Sequence, residues 1–172
     1  MGLKEATAEL HRKAEKTEFS QLIFSGTIPE QEYAYYLFNM YHIHKALEDK
    51  FTLPHPSLNR CKAIEKDISV LIRLKMDLTE STKKYIAHIN TLTEEQWRAH
   101  IYVNYLAIAY GGQMIKTKVP GLGTYYDIEN MQECVGAIRA LLNDDMADEA
   151  RRCFMFAIRL FKDLEYGYDI KS

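Results

Sequence analysis

Apolar residues recur every three to four positions from one end of this chain to the other, and that period dictates helices. In residues 2 to 16, Leu3, Ala6, Thr7, Leu10 and Ala14 fall on one stripe, closed by the polar run "EKTE". No segment sustains the apolar–polar alternation that a half-buried strand needs. With 8 Gly and 4 Pro in 172 residues, the breaks are few and easily placed. The short apolar helix "FSQLIF" stops at Ser25-Gly26. Thr27 is predicted to cap a long helix to about Phe51, with Pro29 in its first turn and Glu30 completing a capping box. Pro54 and Pro56 break it. Two helices are predicted over roughly 60–77 and 80–90. Thr93 then caps a helix that runs through Gly111 and Gly112 to about Lys118. Residues 119–127 read as a loop, Asp127 caps a helix to about Leu142, and Asn143 caps the last, ending near Tyr166. The length suits one core and is too short for two. The expected fold is all-α, a compact single-domain multi-helix unit over residues 1–172.

Charge and cysteine usage narrow the function classes. Lys plus Arg is 22 and Asp plus Glu is 24, a formal net charge of -2, which lacks the basic footprint of a nucleic-acid binder. Cys61, Cys134 and Cys153 are odd in number and far apart, without metal spacing, which fits a reduced intracellular setting. The start has no signal-peptide pattern, and no apolar run approaches the roughly 18 residues of a membrane span. A cytoplasmic protein with no membrane partner is the expectation.

Six histidines are the first candidates for chemistry. A di-iron carboxylate bundle wants Glu-x-x-His on two helices. Here the residues three before each His are Ala8, Asn39, Tyr41, Thr52, Tyr85 and Trp97, so that reading fails. No nucleophile–His–acid signature and no phosphate or dinucleotide glycine motif is present. His11 lies on the apolar stripe of the first helix, where an imidazole is either a satisfied boundary residue or a ligand. His42 and His44 are two apart on a helix and cannot both chelate one ion. His55, between two prolines, reads as loop surface, and nothing in sequence distinguishes His88 or His100.

The glycine pair in "YLAIAYGGQ" is a second candidate. Each Gly costs about 1 kcal/mol in a helix interior, a cost accepted where something must come close to the backbone. Asn104, Ala107, Ile108, Gly111 and Gly112 make a small, largely apolar face bordered by Tyr102, Tyr105 and Tyr110. Tight helix–helix packing would explain it. So would a flat ligand lying on bare main chain, with an axial histidine on a second helix.

These residues carry a resemblance. "LKEATAELHRKAEKTEF" resembles the opening helix of the heme oxygenases, and "AHIYVNYLAIAYGGQ" resembles their distal helix. "YHIHKALED" and "FMFAIRLFKDLE" match two further blocks, in family order across nearly the whole chain. The resemblance implies a heme between a proximal and a kinked distal helix. His11 falls at the proximal iron ligand, with acidic Glu15 one turn on. Gly111 and Gly112 fall at the glycines that lie against the porphyrin. Lys4, Tyr102 and Arg139 align with the residues that hold the propionates, and Phe154 with an aromatic that packs on the macrocycle.

The departures sit on the distal side. The family's Gly-Asp pair is Ala107-Ile108 here, so the acid that anchors a proton-supplying water network is missing. The supporting Thr and Arg are Val103 and Asn104, a helper Asn is Ala157, and the pocket Tyr is His44. His44 and Asn104 are therefore the expected substitutes that organise water. The resemblance implies cleavage of heme, which is substrate and cofactor together, by O2 to biliverdin, carbon monoxide and ferrous iron. Electrons would come from a soluble donor such as ferredoxin or a flavin reductase. The alternative is a non-catalytic heme carrier, a sensor or a peroxidase-like protein on the same fold.

Overall fold

The computed structural model describes residues 2–73 and 75–171, with side chains as far as Glu165. Among these residues there is no strand. The helices are α1 (Leu3–Glu15), α2 (Glu18–Ser25), α3 (Glu30–Lys50), α4 (Cys61–Ser69), α5 (Glu80–Thr91), α6 (Glu94–Tyr110), α7 (Gly112–Ile115), α8 (Met131–Arg139) and α9 (Ala147–Lys171). The all-α expectation holds. No helix among the described residues is long and apolar enough to cross a membrane.

Several boundaries follow local chemistry. Thr17 caps α2 by accepting from the Ser20 amide, and Gly26 ends it in the left-handed region at φ 75°, where glycine carries no steric penalty. Thr93 and Gln96 form a reciprocal capping box at the start of α6. Core side chains then hold the helices together. Trp97 of α6 is buried and donates its indole N–H to the Leu47 carbonyl of α3 at 3.0 Å.

Elsewhere, long-range hydrogen bonds reset the boundaries. α3 begins at Glu30 rather than at a Thr27 cap, because the Glu30 carboxylate accepts from the Ile72 amide at 2.9 Å and is not free to fold back. The helix expected over 60–77 stops at Ser69. Beyond it Ile72 donates to Glu30, and the Thr79 amide donates to Asn39 Oδ1 at 3.0 Å. Those amides are thus satisfied without a helix; Leu74 lies outside the described residues. Asp127 pairs with Lys116 instead of capping α8, which starts after Asn130 in the left-handed region at φ 54°.

Two buried charges fix the loop before α8. Arg60 donates to the carbonyls of Ser57, Leu58, Asn59, Tyr125 and Asp127. Asp67, fully buried, accepts from the amides of Thr124 and Tyr125 at 2.9 and 2.7 Å. Together they set Tyr125 and Tyr126 against α3 and α7.

Candidate functional site

α1 and α6 both pack along α9 but scarcely touch each other. On the α1 side His11 is exposed, its ring 5.6 Å from that of Phe154 on α9. His11 Nε2 lies 3.0 Å from Glu15 Oε1. An (i, i+4) carboxylate is a suitable orienting partner for a metal-binding imidazole.

On the α6 side Ala107 is exposed and Gly111 half-buried. A β-carbon on Gly111 would meet the Ala107 carbonyl at 3.1 Å and nothing else within 4 Å. The main chain there is bare. Gly111 keeps helical angles, and its N–H still bonds the Ala107 carbonyl at 2.9 Å. The helix is interrupted without reversing. Tyr110 and Met114 next to it are 52% and 68% exposed, unusually open for such large apolar side chains.

Arg139 on α8 donates to Tyr110 Oη at 2.8 Å and lies 5.8 Å from the centre of that ring. The Tyr110 hydrogen bond, then the nearby Tyr102 hydroxyl, hold the guanidinium pKa above its ordinary value. Tyr102, Tyr110 and Arg139 are therefore grouped. Lys4 stands exposed in the first turn of α1, with no side-chain partner among the described residues.

Three residues of the expected distal face are buried in the structure. Gly112 faces Tyr126, for whose ring its missing side chain makes room. Ile108 is buried. Each lies one residue, about 100° of helix, beyond Ala107 or Gly111, so the open stripe is narrower than the sequence suggested.

The third is His44, which is fully buried with both ring nitrogens engaged. Tyr105 gives its hydroxyl hydrogen to Glu48 Oε2 at 2.7 Å. His44 Nδ1 therefore donates to Tyr105 Oη at 2.9 Å, and Nε2 accepts from Tyr125 Oη at 2.8 Å. Burial lowers the His44 pKa, despite the opposing pull of Glu48. A neutral, saturated imidazole at this depth has nothing left to offer water.

Asn104 is half-buried, and its amide nitrogen donates to Tyr85 Oη and to the His100 carbonyl, both at 3.0 Å. Behind it lies a cluster that sequence reading passed over. Tyr85 Oη is 2.6 Å from His100 Nδ1 and 3.3 Å from Cys153 Sγ. Glu149 Oε1 accepts from His88 Nε2 at 2.6 Å and from His100 Nε2 at 2.8 Å, while Arg152 donates to Oε2. Burial pushes the Glu149 pKa up, but the three donors outweigh it and hold the group at about 2. His88, His100 and Glu149 come from three helices, so no local spacing could have signalled them.

The chain is all-helical, with an exposed imidazole on α1 and an exposed stretch at the end of α6, and both helices pack on α9. This chain belongs to the heme oxygenase family, whose model matches residues 1–133. It is 25% identical to heme oxygenase 1 of Gallus gallus, over 95% of this chain and 68% of that protein. It is also 25% identical to heme oxygenase 1 of Synechocystis, over 95% and 83%. Among solved structures, Synechocystis heme oxygenase-1 in complex with heme matches with a TM-score of 0.80 at 23% identity, covering 98% of this chain and 94% of that one. Leptospira interrogans heme oxygenase matches at 0.81 and 24%, covering 94% and 97%. The fold is that of the heme oxygenases.

Proposed function

We propose that this chain degrades heme oxidatively, yielding biliverdin, carbon monoxide and ferrous iron in the cytoplasm. Electrons come from a soluble donor such as ferredoxin or a flavin reductase. The observation that carries this reading is the placement of two residues. His11 and the bare main chain at Gly111 lie on two helices that share α9 and avoid each other. Family membership and the heme-bound relative support it.

When bound, heme supplies the iron that activates dioxygen and the ring that is opened. The chain's own residues do the rest. His11 would ligate the iron through its imidazole, with Glu15 beside the ring. Phe154, Ala107 and Gly111 wall the apolar disc. Arg139 with Tyr102 and Tyr110, and Lys4 across the mouth, hold the propionate edge. Asn104 presents its carbonyl Oδ1, which has no protein partner among the described residues, as an acceptor for one water. Its Nδ2 hydrogens are committed to Tyr85 and His100, so Asn104 orders water by accepting only.

A second reading, a heme carrier or sensor, draws on one observation: the position of the family's distal acid is Ile108, and it is buried. Hemin-loaded protein given reductant and oxygen separates the two. Loss of the Soret band with bilin and free iron supports the enzyme. A persistent Soret band with no bilin leaves the carrier.

A further inference from the structure

We propose that His88, His100 and Glu149 form a binding site for a divalent first-row transition cation, separate from the residues proposed to hold heme. The three candidate donor atoms lie within 4.8 Å of one another. Two imidazole nitrogens, from α5 and α6, converge on one carboxylate oxygen from α9 at 2.6 and 2.8 Å. Two histidines and one carboxylate with a position left for water is a donor set suited to zinc, cobalt or ferrous iron. A cation at the convergence point needs the donors to part to roughly 3.3 Å, as metal–ligand bonds of about 2.0–2.1 Å require. His88, 26% exposed, is the side chain free to make that movement and gives the ion its entry path.

The surrounding groups already suit an ion. Arg152 occupies only the second oxygen of Glu149, leaving Oε1 for the metal. The hydrogens now on the two Nε2 atoms must leave them, and the structure provides for this. Each imidazole moves its hydrogen to Nδ1, with no net proton lost. His100 Nδ1–H then donates to Tyr85 Oη, and the Tyr85 hydrogen turns to Cys153 Sγ, 3.3 Å away. Tyr85 thereby becomes the outer partner that fixes the tautomer of a metal-bound histidine.

The test uses metal-free protein carrying His11→Ala, so that the exposed His11–Glu15 pair cannot bind the probe and heme plays no part. Titration with Co2+ and Zn2+ should give one saturable site per chain. X-ray absorption of the cobalt form should show two imidazoles and an oxygen donor. His88→Gln and Glu149→Gln should each weaken binding by at least about tenfold, and Tyr85→Phe by roughly tenfold through loss of the outer hydrogen bond. Absence of saturable binding overturns the proposal, as does binding unchanged in His88→Gln or a coordination shell without imidazole. The spectroscopy is done on the unsubstituted site, so a folding failure of any variant does not decide the matter. Failure of this site leaves the heme reading untouched, and failure of heme binding leaves this site untouched.

Discussion

Gly112 and Tyr126 are in such close contact that a β-carbon on the glycine would fall 2.6 Å from Cδ1 of the ring. At its neighbour Gly111 the same atom would meet only a carbonyl of its own helix. The two glycines therefore serve different ends, one packing and the other an open surface. Gly112→Ala should cost about 1–3 kcal/mol, the usual penalty of overpacking. Gly111→Ala should change stability by less than about 1 kcal/mol, because helix propensity offsets the tight contact, yet should weaken hemin binding. Urea denaturation alongside hemin titration measures both. Equal stability loss in the two variants would refute the division of roles.

Removing the His11 imidazole tests the ligand assignment. His11 and Glu15 are both more than half exposed, so His11→Ala should alter the stability of the heme-free chain by less than about 0.5 kcal/mol. The absorption spectrum of the hemin complex should change, and added imidazole should restore it. Identical hemin spectra in the variant and the native chain would remove His11 from the iron.

The buried His44 sets a pH dependence. Its pKa is lowered by burial, with Glu48 pulling the other way and Arg60 adding to the lowering. A group depressed in the folded state stabilises it above the unfolded pKa, about 6.5. That contribution falls away as pH drops from there toward the folded value, because only the unfolded chain takes up the proton. Thermal stability should therefore decline below about pH 6.5, and the His44 imidazole resonances should stay in their neutral form over that range. Protonation of His44 at or above its ordinary pKa would contradict the Tyr125–His44–Tyr105 hydrogen-bond order.

Asn104 is held by Tyr85 and the His100 carbonyl, so its role separates from binding. Asn104→Ala should slow bilin formation roughly tenfold or more, while hemin affinity stays within about twofold. Tyr85→Phe should slow it less, since the His100 carbonyl still anchors the amide. Unchanged bilin formation in Asn104→Ala would show that water ordering does not depend on this side chain.

The sequence by itself determined the helical class, the positions of the Gly26 and Thr93 boundary signals, and the blocks that mark the family. These depend on residues within a turn or two of one another, where period and capping chemistry act directly. It also brought His11, Gly111, Phe154 and Arg139 into view. Only the tertiary structure decided that His44 is sealed between two tyrosines, that Gly112 serves Tyr126, and that the Ile72 amide in the 60–77 segment bonds Glu30 outside any helix. It alone assembled His88, His100 and Glu149. The reason is the same in each case: which way a side chain faces, and which distant donor satisfies a backbone amide, is fixed by partners tens of residues away, and no local pattern encodes them.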